Sequence, residues 1–307
     1  MALGSAGSVE RLRAELDELR RAGAPLAPAA GQRVLRLHTP GGNQGYTGPD
    51  GPGLVGSTAT PWLDRLPVLA GVLRALPAPV RSARLVALSP GVSFTGLQSP
   101  KNGPPWGLCR LHLPLVSGPG ARTVFVEDNH HWEPGVLWFS ASWRQHALVN
   151  DRKEELVHAV IDLYHSAELA DLFPRELHWG LRGPAALEHR PVVPFGVTGP
   201  ERFACRFPLP ESFANWEQPG IFLPRNALRG VVTAEIALRG DALCLLLDGR
   251  PFCALDHLGE GEFRMRGWSE ERTLQVSLAA DAPNVVVARA REGSNTYMAR
   301  LPAVASG

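Results

Sequence analysis

Cysteine is scarce in this chain, four in 307 residues, and none of the four stands at the spacing of a zinc or redox motif. Cys109 and Cys205 have no neighbour to make a metal cluster. Cys244 and Cys253 flank Asp248-Gly249, a two-residue hairpin signal, and in that register they face each other across two strands. In a reducing cytoplasm two apolar thiols are expected there rather than a bond. Net charge is scarce too: at +1 the chain has no field to favour nucleic acid or an anionic membrane as a partner. No apolar run approaches the roughly 20 residues of a membrane span. The N-terminus lacks the basic start and apolar core of a signal peptide, so the cytoplasm is the expected compartment. Catalytic motifs are missing as well. There is no nucleophile elbow, and Gly41-Gly42-Asn43-Gln44-Gly45 is not followed by the helix that a phosphate loop needs.

What is present is an ordered set of strand-like segments between Pro61 and His165. Arg110-Leu111-His112-Leu113-Pro114-Leu115 alternates its faces and is followed by a Ser-Gly-Pro-Gly turn and a second strand around Thr123 to Val126. Next come Trp132-Glu133-Pro134-Gly135 with Trp138-Phe139, then His146-Ala147-Leu148-Val149-Asn150, then Leu156-Val157-His158-Ala159-Val160-Ile161-Asp162. In this order they resemble the aspartyl/asparaginyl β-hydroxylases, a family of 2-oxoglutarate oxygenases. The resemblance covers about a third of the chain. It implies a double-stranded β-helix, or jelly roll, whose mouth holds iron on a His-x-Asp or His-x-Gly pair and one distal histidine.

Carried over position by position, that resemblance implies a scaffold without its chemistry. Aligning Gly91 with the family glycine puts the His-x-Asp pair at Leu97-Gln98-Ser99, where an alkyl group cannot ligate and a hydroxyl is a poor ligand. Only the distal ligand persists, as His146. The arginine that would fork onto 2-oxoglutarate falls at Leu156, while Arg152 sits nearby in a polar turn and Arg110 remains. No cofactor is therefore expected. The adjacent His130 and His131 would point to opposite faces of a strand, and His112 reads as a satisfied inward histidine.

The rest of the chain frames that segment. Ser8 to Arg21 is an amphipathic helix with Leu12, Leu16 and Leu19 on one face and Ser8 as N-cap; it lies on the domain, with dimerisation through it as the alternative. Val34 to His38 is a strand, and the region up to Gly56 is a long loop in which Tyr46 could anchor a ligand. Pro61 to Leu76 is a helix that Pro67 starts or kinks. Ala167 to Leu172 is a short helix. Beyond it the expected strands are Phe203–Phe207, Gly230–Leu238, Ala242–Leu247, Arg250–Leu255, Gly261–Trp268, Arg272–Leu278, Asn284–Arg291 and Thr296–Arg300. Asp241, Asp248 and Asp256 belong to the turns among them.

The expected fold is thus mainly β: an N-terminal helix, strand and loop over 1–60, a degenerate oxygenase-like jelly roll over 61–175, a linker over 176–200, and a C-terminal β sandwich or small barrel over 201–307. The mouth of the jelly roll supplies the candidate binding residues Phe94, Leu97, Arg110, His112, Trp132, Trp138, His146 and Leu156, made drier by the two leucines. Trp106 and Trp143 lie beside them. The C-terminal domain offers sheet edges for strand addition by a peptide. Non-catalytic binding of a peptide is the leading expectation, with a precursor peptide held for biosynthetic enzymes of one ribosomal natural-product pathway as the expected ligand. The composition, rich in Arg, Ala, Pro, Gly and Leu with little Lys, suits a high-GC bacterium, and the architecture is similar to the dioxygenase-like peptide binders of crocagin-type pathways. The alternatives are a hydroxylase of an amino acid or peptide, with His146 and one of His112, His130 or His131 on iron, and a subunit that stabilises an oxygenase partner.

Overall fold

A computed structural model describes residues 6–25, 27–29, 32–98, 101–125, 128–196, 199–217, 230–280 and 282–306. The chain divides into two compact units. The first comprises Met1–Gly48, Ser57–Gly103 and Leu108–Leu181, and the second Pro49–Gly56, Pro104–Gly107 and Arg182–Gly307.

The first unit runs α1 (Ala6–Arg21), β1 (Ala27–Ala29), β2 (Gln32–Pro40), β3 (Ser57–Ala59), α2 (Pro67–Ala75), β4 (Val80–Leu88), β5 (Ser93–Leu97) and β6 (Leu108–Val116). It continues with β7 (Ala121–Phe125), β8 (Asn129–His130), β9 (Trp138–Phe139), β10 (His146–Asn150), β11 (Leu156–Tyr164) and the short α3 (His178–Arg182). These strands make two antiparallel sheets, β1-β2-β4-β11-β6-β9 with β3 on β2, and β5-β10-β7-β8. Neighbours in space are distant in sequence, as in a jelly roll.

Side-chain alternation along the central strand β11 sorts the residues of the large sheet. Val157, Ala159, Ile161 and Leu163 join a core with Leu12, Leu16 and Leu19 of α1, Leu69 and Leu73 of α2, and Leu111, Leu113 and Leu115 of β6. Each such leucine contributes about 1.5–3 kcal/mol by burial. The alternate residues Leu156, His158, Val160 and Asp162 pair with Leu88, Val86, Arg84 and Ser82 of β4 on one side. On the other, His158, Val160 and Asp162 pair with Pro114, His112 and Arg110 of β6. This second face is the polar one. Asn150, fully buried, sends its side-chain amide to the carbonyls of Leu88 and Glu154 at 3.0 Å, fixing the turn from β10 into β11.

The second unit runs β12 (Cys205–Pro210), α4 (Glu211–Ala214), β13 (Val231–Arg239), β14 (Ala242–Leu247), β15 (Arg250–Gly259), β16 (Glu262–Met265), β17 (Arg272–Ala279), β18 (Ala282–Glu292), β19 (Asn295–Pro302) and β20 (Val304–Ala305). The strands follow one another as a meander, and β20 returns to pair with β12. That return nearly closes the sheet into a barrel rather than a sandwich. One face buries Phe207, Ile236, Leu245, Phe263, Leu274 and Ala288. On the other, Glu262 accepts from Thr273 Oγ1, Arg289, Arg291 and Arg190, and these bonds hold its carboxyl down at about 2 against the opposing pull of burial.

Several local expectations change. The first helix begins at Ala6, which puts Ser8 inside its first turn rather than at the N-cap. Pro61–Leu76 is not one helix: a 3₁₀ turn over Leu63–Arg65 precedes α2, which starts at Pro67 because proline's missing N–H is harmless at N1. Ala167–Leu172 is a 3₁₀ helix. Phe203 ends another 3₁₀ turn, so the strand begins only at Cys205. Val126 lies outside the described residues. Asp248 and Gly249 both have positive φ, as the two-residue hairpin requires, but the register shifts beyond Leu246↔Pro251, so that Cys253 pairs with Leu245 and Cys244 with Ala254. The extra residue there is Phe252. It places Cys244 and Cys253 off register instead of opposite, and both are free thiols. The end strands of this sheet are β19 and β20.

Candidate functional site

The polar face of the large sheet and the small sheet enclose a cavity of about 240 Å³. Its lining includes Leu88, Arg84, Arg110, His112, His158 and Leu156 from the large sheet, and Leu97, Thr123, His146 and Leu148 from the small one. Gln32, Gln98, Trp132 and Ser142 complete the wall. Of the eight residues singled out in the sequence, Leu97, Arg110, His112, Trp132, His146 and Leu156 therefore meet in one place. The other two do not line it. Phe94 is half-buried against Leu88, Ala121 and Leu156. Trp138 is the cross-strand partner of His112 and stacks on Trp132 at 6.4 Å between centroids, supporting the wall from behind.

Three environments divide the cavity. At one end Asp162, 1% exposed, accepts from Arg110 Nε at 2.6 Å and Nη2 at 2.8 Å, and from Arg84 Nη1 at 3.1 Å. Ser82 and Asn102 add further bonds. Burial would raise this carboxyl, yet the Arg110 and Arg84 guanidiniums hold it well below the usual carboxylate range. Arg110 is thus occupied by an internal carboxylate.

On the floor, the His112 ring lies 4.6 Å from Trp132 and 5.9 Å from His158, which itself lies 5.6 Å from Trp132. Burial pushes His158 down to about 3, and burial with the neighbouring His158 and Arg110 pushes His112 well down. Both are neutral near pH 7. His158 was missed in the sequence reading, although its two-residue offset from Leu156 assigns both to one face of the strand.

The third environment is the small sheet. There His146 pairs directly with Leu97 across β10 and β5. The register slips between His146 and Leu148, where Gly96 adopts φ +67°; this bulge turns Leu97 into the cavity. His146 Nδ1 donates to the Arg144 carbonyl at 2.9 Å, which leaves Nε2 as the lone-pair nitrogen. Burial lowers its pKa.

A facial-triad iron site needs two imidazoles and a carboxylate, or an open place for the latter, on neighbouring strands. Here the first ligand position is an alkyl group, and Ser99 lies outside the described residues. His131 binds the Ala121 carbonyl and His130 is exposed on β8; neither lines the cavity. Among the described residues no three of His, Cys, Asp or Glu are grouped to hold a metal ion. The residues do not fit iron. Nor do they fit a 2-oxoglutarate fork, since Leu156 is a cavity wall and Arg110 is paired.

Residues 54–166 match the family model of aspartyl/asparaginyl beta-hydroxylase. No curated protein matches the chain. Among solved structures, a Cupin 2 conserved barrel domain protein from Salinispora arenicola is 14% identical, covering 49% of this chain and 89% of that one with a TM-score of 0.28. A protein from Photorhabdus luminescens is 10% identical over 48% of this chain and 86% of its own, with a TM-score of 0.27. The first unit is a degenerate aspartyl/asparaginyl hydroxylase-like jelly roll. No helix among the described residues is long and apolar enough to cross a membrane.

Proposed function

We propose that this protein binds a peptide without chemically altering it, using the cavity of the degenerate jelly roll, and that the peptide is a precursor in ribosomal natural-product biosynthesis. The observation that supports this reading is the cross-strand pair Leu97 and His146: the place of an iron ligand is taken by an apolar side chain aimed at the cavity. Leu148 and Leu156 extend the same apolar surface, which suits side-chain capture better than coordination chemistry. The biosynthetic setting rests on the architectural resemblance alone.

Calorimetric titration with precursor-like peptides encoded beside this gene, on protein whose metal content has been measured, tests the reading. Micromolar or tighter binding to metal-poor protein supports it. Stoichiometric iron together with 2-oxoglutarate consumption would overturn it in favour of a hydroxylase with a rebuilt ligand set.

A further inference from the structure

The small sheet of the first unit ends on β5, and the pairing of β5 with β10 fixes which of its main-chain groups face outward. Asn150 N donates to the Val92 carbonyl at 3.0 Å, and two residues along each strand Leu148 pairs with Phe94. In an antiparallel ladder the bonded positions alternate with positions whose N–H and C=O point away from the partner. Val92 and Phe94 therefore turn their groups to β10, and Ser93 and Thr95 turn theirs outward. Both residues are exposed. Among the described residues no turn, loop or side-chain bond reaches either.

This edge adjoins the cavity. The other strands that end a sheet are β1, β3 and β9 of the large sheet, β8 of the small one, and β19 and β20 of the second unit. None of their described residues lines the cavity, whereas β5 contributes Leu97, and Gln98 follows it on the wall. The inward face of β5 carries Phe94 and Leu97, the partners of Leu148 and His146. A strand laid along the outer side of β5 would extend that face, with every second side chain pointing towards the cavity. The 240 Å³ of space exceeds the about 150 Å³ that holds a benzene ring, so one side chain fits there.

We propose that an extended peptide joins the small sheet as a further strand on β5, bonded through the main chain of Ser93 and Thr95, and that it drops one side chain into the cavity beside Leu97. The proposal rests on the peptide-binding reading and adds the mode: main-chain bonds supply affinity and the cavity selects one residue. An exposed edge can also pair with a second copy of the chain. The bulge at Gly96 shortens the regular edge to Ser93–Thr95, far less than the about 1,000 Å² that a stable dimer buries, whereas a peptide gains the cavity as well.

The probes are short overlapping synthetic peptides that tile the precursor-like reading frame beside this gene, titrated calorimetrically into the full chain. Single N-methyl groups are then placed along the main chain of the peptide that binds. The expected result has a period of two: alternate methyl groups weaken binding by about tenfold or more, the loss of one hydrogen bond, and those between them do not. Thr95→Pro removes an N–H that β10 does not use, a change that an edge strand tolerates, and should weaken binding by about tenfold or more. Thr95→Val keeps the N–H and should bind as the parent does. Bound peptide should slow amide exchange at Ser93 and Thr95.

A peptide that binds the parent but shows no alternation on N-methylation overturns the proposal and leaves the peptide reading in place, as does binding that Thr95→Pro leaves unchanged. Failure of every peptide to bind sinks the peptide reading and this mode with it. A dimer of the free protein that Thr95→Pro dissociates would assign the edge to a second copy and overturn the proposal too.

Discussion

Leu97 on β5 and His146 on β10 are direct cross-strand partners. Residues so placed hold their Cβ atoms about 4.5–5.5 Å apart, a separation from which two imidazoles can chelate one ion. An imidazole in place of the Leu97 side chain would stand beside that of His146. Leu97→His should form such a pair. The expected outcome is cobalt(II) binding by the variant, seen as visible ligand-field absorption and one equivalent of metal by mass spectrometry, against none for the parent. Equal cobalt uptake by the two proteins would mean that metal binds elsewhere.

Asp162 is the counter-charge for Arg84 and Arg110 on the polar face of the large sheet. Removing one partner of a buried ion pair costs about 3–5 kcal/mol, because the other charge is left without compensation. Asp162→Asn should therefore lower the stability of the first unit by about that amount in a denaturant titration. Replacing Asp162 and Arg110 together by asparagine and methionine should recover part of the loss. A single substitution within about 0.5 kcal/mol of the parent would contradict the network.

Acid should destabilise the first unit well above the carboxylate range. Burial pushes His158 down to about 3 in the folded protein, against an ordinary histidine value of 6.5. The unfolded chain consequently binds more protons between these limits, and folding stability falls as pH drops below about 6.5. At 1.36 kcal/mol per pH unit the loss is about 2 kcal/mol at pH 5, and His112 acts in the same direction. Asp162 does not contribute there, since its stabilisation is lost only as pH falls below the ordinary aspartate value of 3.8. His158→Phe should flatten the slope of stability between pH 6.5 and 5, measured by urea unfolding at each pH. An unchanged slope would show that the ring is not buried neutral.

Much of the jelly roll was readable because its strands expose one face to a helical core and the other to a cavity, which imprints a period of two on β6 and β11. The same period brought six of the eight chosen residues together. Phe94 and Trp138 share the cavity's face as the partners of Leu148 and His112, but Phe94 packs on Leu88, Ala121 and Leu156 and Trp138 on Trp132, contacts that have no periodic signal. His158 was legible but overlooked. The closure of the second unit was not legible: β20 has two residues, too few for any pattern, and its pairing with β12 spans almost the whole unit. The assignment of Pro49–Gly56 to that unit rests on backbone bonds such as Gly53 N to Arg266 O, which no side chain announces.

The hairpin of β14 and β15 yields a chemical prediction. Cys244 packs with Leu246 and Ala254, whereas Cys253 pairs with Leu245, so the two thiols belong to alternate sides of the ladder. Mild oxidation should leave both free, counted as unblocked thiols in denaturant by mass spectrometry. An intramolecular bond between them would require the bulge at Phe252 to be absent.

The second unit depends on one carboxylate in the same way that the first depends on Asp162. Glu262 is 8% exposed and is met by Arg190, Arg289 and Arg291, with Thr273 donating at 2.8 Å. Without it three guanidiniums crowd together, and Arg291 already has its pKa lowered by burial and by Arg289 and Arg190. Glu262→Gln should cost the second unit about 3 kcal/mol. The pH dependence supplies the control. Because the folded carboxyl sits at about 2 against an ordinary glutamate value of 4.5, its contribution is complete above pH 4.5 and declines as pH falls towards 2. The parent and the variant should therefore differ most near neutrality and converge in acid. A constant difference across that range would mean that the glutamine disturbs packing rather than charge.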